Sequence, residues 1–173
     1  MRNYFHAAFF ILAIMFLVSP VLNADPKYGA VFRYNAAKTY ADNNRFEDAL
    51  REINLAIEAV PEQPEFWGLR GEIRERMKNY PEAIIDYTKA IELNPGVHTK
   101  QTYYFSRAEC RISTGDYQGA REDLSKVNEP ELKEYVDKDI AFIDRVTSTR
   151  NRDSMRQQRR AEEQKKAEAG AEK

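Results

Sequence analysis

The sequence has few of the residues that most often carry out chemistry. Its 173 residues include one cysteine and two histidines. A single cysteine, Cys110, cannot form an internal disulfide, so a disulfide-stapled fold is excluded and the chain must be stabilised by packing. Cys110 is expected to be a small buried core residue, with a disulfide between two molecules as the alternative. Glycine and proline number only seven each, which is typical of a helical globular protein.

The same absences bear on catalysis. Beyond residue 24, His98 and Cys110 are the sole residues of their kinds. One histidine and one cysteine cannot close a zinc site, and a catalytic nucleophile needs a base and a third group that orients the base. The sequence also has no glycine-rich phosphate loop. We therefore expect no catalytic residue, no metal, no cofactor and no small-molecule substrate, and we predict that the chain is not an enzyme.

The first 24 residues differ from the rest of the chain. An uninterrupted apolar run from Ala7 to Val18 follows a single arginine, and the segment ends in a small residue. This order is typical of a secretory signal peptide, residues 1–24, cleaved after Ala24, which predicts a periplasmic or secreted protein. Leu22 stands where a small residue is usual near a cleavage site. The alternative is an uncleaved membrane anchor through residues 7–24, the one case in which we expect membrane contact.

An internal repeat dominates the remainder. In three segments a small residue is followed nine residues later by an aromatic residue, and three residues after that by alanine. The residues are Ala37, Phe46 and Ala49; Gly71, Tyr80 and Ala83; and Ala108, Tyr117 and Ala120. The spacing is 34 residues between the first two segments and 37 between the last two. A fixed period of this length indicates an array in which each repeat is one supersecondary unit.

The repeat resembles the tetratricopeptide repeat, a helical hairpin. The second segment matches the family pattern best, through Trp67, Gly71, Tyr80, Ala83, Tyr87, Ala90 and Pro95. The three units cover about residues 30–63, 64–97 and 101–131, within residues 25–131. The resemblance implies an all-α fold, a right-handed α-solenoid of three hairpins in which the small residues let the two helices of a hairpin approach closely. Asp116 is the expected N-cap of the last hairpin's second helix.

A capping helix and a charged tail follow the repeats. In residues 132–147 apolar residues recur every three or four positions, which predicts an amphipathic helix that covers the third unit. They are Leu132, Val136, Ile140, Ile143 and Val146. Residues 145–173 hold nine basic and five acidic residues, a net charge of +4, whereas residues 25–144 carry −6. The tail, 148–173, is expected to be a solvated helical extension or disordered. The alternative is a tail that binds an anionic surface, and its lack of aromatic residues argues against nucleic acid.

The resemblance also implies a binding surface. In the family, the first helices of the hairpins line a concave groove that receives an extended peptide or a partner helix. Aligned through the small residues, the groove of this chain combines apolar anchors with polar residues, as a peptide groove requires. Its predicted lining is Tyr34, Asn35, Lys38, Leu69, Glu72, Glu75, Phe105, Ser106, Glu109 and Ile112.

One ligand mode of the family is excluded by the residues. Members that bind chaperone tails clamp a C-terminal carboxylate with lysine, asparagine and arginine side chains. In this chain Tyr34 and Lys38 stand where the first unit of those members has lysine and asparagine, and Leu69 stands where the second has asparagine. Thr102 and Ser106 stand where the third unit has lysine and arginine, so none of the positions matches. The sequence therefore predicts a partner protein of another kind.

Two functions from different classes are consistent with the sequence. The first is a non-catalytic protein–protein interaction scaffold of the cell envelope, which binds a peptide or partner helix in the concave groove. The second is a structural or surface-attachment protein, in which the basic tail or an uncleaved N-terminal anchor does the binding and the repeats act as a spacer.

Overall fold

The computed structural model describes residues 26–171, with side chains from Lys27 to Gln164, and the predicted signal segment 1–24 lies outside the described residues. Within that range the chain forms seven α-helices, one 3-10 turn and no strand. The helices are α1 (Pro26–Asp42), α2 (Phe46–Ala59), α3 (Pro64–Arg76), α4 (Tyr80–Glu92), α5 (Val97–Thr114), α6 (Tyr117–Leu124) and α7 (Lys133–Ala171), and the 3-10 turn is Pro130–Leu132. The predicted all-α fold class is confirmed. The chain divides into two compact units, the first ending at Tyr103 and the second beginning at Tyr104.

The first unit contains two helical hairpins, α1 with α2 and α3 with α4. The small residues predicted at their contacts, Ala37, Ala49, Gly71 and Ala83, are all buried. At Gly71 an added Cβ atom would stand 3.0 Å from ring carbons of Tyr87. The α3 backbone therefore lies directly against a tyrosine ring of α4, which explains why the repeat places its smallest residue here.

The second unit contains the end of α5, then α6 and α7. Ala108 and Ala120 are fully buried in one apolar cluster, and α7 adds Val136 and Ile143 to it. The predicted capping segment and the predicted tail form one helix of 39 residues. Its apolar stripe ends near Val146, and every side chain described from residue 148 onward is exposed.

The turn inside each hairpin has the same backbone geometry. Asn44, Lys78 and Gly115 have φ angles of 58°, 61° and 84°, the left-handed region. The amide of the next residue donates to a carbonyl five residues back, for example from Arg45 to Tyr40 at 2.9 Å. This is the Schellman motif, which satisfies the free carbonyls at the end of the first helix. The second helix then begins at once, and in the third hairpin the predicted N-cap is confirmed because the Asp116 side chain accepts from the Gly119 amide at 3.0 Å.

A buried carboxylate joins the two helices of the second and third hairpins. Asp86 of α4 is fully buried and accepts hydrogen bonds from Arg70 at 2.7 Å and Arg74 at 2.6 Å, both on α3. The third hairpin repeats the arrangement around Asp123, whose carboxylate is bound by Arg107 and Arg111 at 2.7 Å each.

The first hairpin has a more exposed version of the same contact. Arg33 of α1 donates to Glu52 of α2 at 3.0 Å, and Glu52 stands 34 residues before Asp86, at the same repeat position. We call the contacts around Asp86 and Asp123 the arginine–aspartate clusters. In each cluster two guanidinium groups pair with one carboxylate, which supplies the ionic partners that a buried carboxylate requires.

Candidate functional site

The predicted groove residues of the first unit lie on α1 and α3, which contact each other. Asn35, Lys38 and Glu72 are exposed, and Tyr34 and Glu75 are half-buried. These five are therefore open to solvent in whole or in part, as a binding surface requires.

Leu69 is placed differently from its neighbours. Only 7% of it is exposed, and it belongs to the apolar core of the first unit together with Phe66 and Ile73. Its side chain supports the helix and presents little surface to a ligand. Glu75 also has a structural contact, because it accepts a hydrogen bond from the Tyr87 hydroxyl at 2.6 Å.

The other four predicted groove residues belong to the second unit. Glu109 is exposed, and Phe105, Ser106 and Ile112 are half-buried. Phe105 packs edge-to-face on Tyr135 of α7, with ring centroids 6.3 Å apart. Phe105 and Ile112 also pack against the apolar cluster to which α7 contributes, so part of their surface is already buried in that cluster.

The structure adds three residues to the predicted surface of the first unit: Glu65, Gly68 and Tyr103. The side chain of Tyr103 lies over Gly68, where an added Cβ atom would stand 2.4 Å from the phenol oxygen. On α1, Tyr34 stacks on Phe66 with ring centroids 5.4 Å apart. Glu65, Gly68 and Glu72 stand at i, i+3 and i+7 on α3, a spacing that places them on one face.

We call Tyr34, Tyr103, Glu65 and Glu72 the tyrosine face. Tyr34 stacks on Phe66, which follows Glu65 directly, and Tyr103 lies over Gly68, which stands between Glu65 and Glu72 on α3. Burial, followed by the negative charges of nearby Glu65 and Glu72, raises the pKa of Tyr34. Burial is also the largest cause of the raised pKa of Tyr103, followed by Glu65, Tyr34 and Glu72. Both phenols are therefore neutral at physiological pH, and the charge of this face comes from its carboxylates.

Two of the three arginines of α3 are paired away from the tyrosine face, and the third, Arg76, stands 3.9 Å from Glu72. Arg70 and Arg74 bind Asp86. Arg76 donates to Asn44 at 3.1 Å and lies over the ring of Phe46. On α1, the exposed Lys38 stands one turn after Tyr34, a spacing that places the two side chains on the same face of the helix.

The structure offers no arrangement that suggests chemistry at Cys110. Its side chain is fully buried, which confirms the prediction of a core residue. Over the described residues no three metal-ligating side chains come together. In the same range no helix combines the length and the hydrophobicity needed to cross a bilayer.

A family model and a curated relative each match part of the chain. Residues 34–98 match the family model of the tetratricopeptide repeat. A rice (Oryza sativa subsp. japonica) protein SGT1 homolog is 36% identical over 88 residues, which are 51% of this chain and 23% of the rice protein. The chain thus spans about a quarter of the length of that relative.

Solved structures share the fold at low sequence identity. The first repeat domain of Spaghetti (RPAP3), bound to the HSP90 peptide SRMEEVD, has a TM-score of 0.61 and 19% identity over 68% of this chain and 94% of that one. The Yersinia enterocolitica type III secretion chaperone SycD, in complex with a peptide of the translocator YopD, has a TM-score of 0.57 and 20% identity over 68% of this chain and 92% of that one. The chain therefore has the fold of tetratricopeptide repeat proteins.

Proposed function

We propose that this chain is a non-catalytic protein-interaction scaffold of the cell envelope, which binds an extended peptide or a partner helix of another protein. The observation that carries the proposal is the tyrosine face of the first unit. It combines two partly exposed phenol rings with carboxylates on the first helices of the repeats, and aromatic residues are enriched where proteins bind one another. The HSP90 peptide and the YopD peptide bound by proteins of this fold support a peptide ligand.

The proposed location rests on the sequence of residues 1–24. It is tested by fractionating cells that express the full chain and by determining the N-terminal residue of the mature protein. A periplasmic or secreted chain that begins at Asp25 is the expected result. A full-length chain in the membrane fraction would instead support the uncleaved anchor through residues 7–24.

The partner is tested by affinity capture from the native envelope fraction. We would compare the wild type with Tyr34→Ala/Glu72→Ala, because Glu72 is exposed and Tyr34 is half-buried at the edge of the apolar core, so both present surface to a ligand. The matched control is Leu55→Ala/Ile85→Ala, which removes exposed apolar surface from the second helices of the hairpins. A partner lost with the first variant and retained with the control supports the proposal. A partner retained by both variants contradicts it.

Helix α7 favours the second candidate function, attachment through the tail. Arg145, Arg152, Arg156 and Arg159 stand at i, i+7, i+11 and i+14, which places them on one stripe of the helix. All four are exposed. A stripe of this kind suits an anionic surface, and such attachment weakens steeply as salt is added.

The tail is tested with two full-length variants of equal net charge. Arg152→Gln/Arg156→Gln removes two charges from the arginine stripe, and Arg150→Gln/Arg160→Gln removes two charges outside it. If envelope attachment is lost in the first and kept in the second, the tail is the attaching element. If neither changes attachment, this candidate is rejected.

A further inference from the structure

We infer that the tyrosine face selects an extended peptide that carries an arginine side chain. The inference rests on the proposed function, because it names the chemistry of the partner that the first unit would bind. The inference adds the sign of the charge on that partner: the peptide is basic where it meets α1 and α3.

The two tyrosine rings of this face are held in place by their neighbours. Gly68 leaves no side chain between α3 and Tyr103, so the phenol ring lies against the helix backbone. Tyr103 is also held by Tyr87, with ring centroids 6.1 Å apart, and Tyr34 is held by its stack on Phe66. Both rings are thus fixed by packing before any ligand arrives, and a preorganised surface loses less entropy on binding.

The tyrosine face carries two carboxylates. Glu65 is half-buried and accepts a hydrogen bond from the amide of Gln63, a contact that brings no positive charge to its carboxylate. Glu72 has an ion-pair contact with Arg76 at 3.9 Å, the limit of such a contact, and its side chain is 55% exposed. Both carboxylates are therefore available to a cation, while Arg70 and Arg74 are bound to Asp86.

A guanidinium group matches both the rings and the carboxylates of this face. Its planar fork forms paired hydrogen bonds with a carboxylate and its flat surface stacks on aromatic rings. A neutral tyrosine presents a negative ring face to such a cation. A carboxylate-bearing peptide meets the opposite condition, because Glu65 and Glu72 repel it.

Arginine is favoured over lysine for the same reason. The ammonium of lysine is a compact and strongly hydrated charge, which cannot pair with a carboxylate through two parallel hydrogen bonds. We therefore expect an arginine peptide to bind more tightly than its lysine counterpart, and both to bind more tightly than a glutamate peptide.

The test uses the full chain and defined probes. They are capped glycine–serine peptides of about nine residues that carry two arginines, two lysines or two glutamates. Binding is followed by the shifts of backbone amide signals in an NMR titration, which detects the millimolar affinities expected of short peptides. The expected result is saturable binding of the arginine peptide, with the largest shifts in α1 and α3, and no binding of the glutamate peptide.

Three variants separate the surface charge from a general loss of folding. Glu65→Gln/Glu72→Gln is expected to weaken the arginine peptide about three- to tenfold, since exposed charge pairs each contribute modestly. The control Glu58→Gln/Glu62→Gln removes two exposed carboxylates of α2 and the following turn, and should leave the affinity within about twofold. Lys38→Gln should strengthen binding, a change that no structural role of Lys38 predicts.

The outcomes are decisive for the inference. Equal binding of arginine and glutamate peptides, an arginine affinity unchanged in Glu65→Gln/Glu72→Gln, or no arginine binding at millimolar concentration would each overturn it. If a native partner is captured through Tyr34 and is insensitive to the two glutamate substitutions, the proposed scaffold function stands and the basic specificity is rejected. If arginine peptides bind but no protein is captured, the surface chemistry stands and the scaffold function is rejected.

Discussion

Replacing the buried carboxylate of the second hairpin tests what holds α3 to α4. In the variant Asp86→Asn, one uncharged amide replaces a carboxylate that receives hydrogen bonds from two guanidinium groups. The side chains of Arg70 and Arg74 are only 15% and 23% exposed, so little water can replace the lost anion. Two positive charges remain beside each other in the hairpin interior.

The size of the effect follows from this burial. Breaking a buried ion pair by removing one partner costs about 3–5 kcal/mol. Because both arginines keep a partial exposure, we expect a loss of about 3 kcal/mol of unfolding free energy at the lower end of that range. For a chain of this size, that corresponds to a fall in the melting temperature of roughly 6–12 °C.

The assay is urea unfolding followed by circular dichroism, with three variants side by side. Glu52→Gln is the matched control, because Glu52 has the same repeat position and pairs with Arg33, whose side chain is 42% exposed. Exposed pairs contribute about 0.2–1 kcal/mol, so the control should lose no more than that. Asp123→Asn should resemble Asp86→Asn, since Arg107 and Arg111 repeat the arrangement. A loss at Asp86 no larger than the loss at Glu52 would refute the reasoning.

Three further predictions follow from single contacts. Gly68→Ala should displace the Tyr103 ring, since the added Cβ atom would overlap it. It should cost more stability than Gly29→Ala, whose added Cβ atom meets nothing within 4 Å and which should stabilise α1 by about 0.5–1 kcal/mol. Thermal melts compare the two variants. Spectrophotometric titration should show Tyr103 ionising later than an ordinary tyrosine. The pKa of Tyr103 in the folded chain is raised above the unfolded value near 10, so the contribution of Tyr103 to stability is complete below pH 10 and is lost as pH rises further. A Tyr103→Phe variant that titrates like the wild type would contradict this. Asp116→Ala removes the acceptor of the Gly119 amide and should cost about 0.5–2 kcal/mol in urea unfolding; an unchanged midpoint would show that the cap is dispensable.

The hairpins could be predicted because the small residues at their helix contacts recur at a fixed spacing in the sequence. Ala37 and Ala49, or Gly71 and Ala83, stand twelve residues apart in each segment, and small residues at a helix crossing admit few substitutes. The repeat therefore predicts both the helix pairs and their close approach. The first helix of the array begins at Pro26, four residues before the predicted start of the first unit.

The arginine–aspartate clusters were not predicted, although a signal was present. Arg70, Arg74 and Asp86 recur 37 residues later as Arg107, Arg111 and Asp123. Charged residues on helices are mostly solvated, so a pattern of charges is normally assigned to the surface. Only the contacts between the two helices of each hairpin show that these arginines and aspartates lie in the interior.

The side-chain positions on α1 and α3 follow less directly from the sequence, for a similar reason. Leu69 stands at a groove position by alignment, but it turns into the core of the first unit. Tyr103 lies outside the alignment's groove positions and covers Gly68, because a glycine on α3 permits a contact that the general pattern does not contain. The direction of a single side chain depends on its neighbours, which the period of a repeat does not specify.

The arginine–aspartate clusters also affect how such an array can change in length. Each cluster lies within one hairpin, with both arginines on its first helix and the aspartate on its second. A genetic duplication or deletion of one whole hairpin therefore transfers the acid together with its bases. Neither event leaves a buried charge without its partner, so the number of repeats can change without the cost of a broken ion pair.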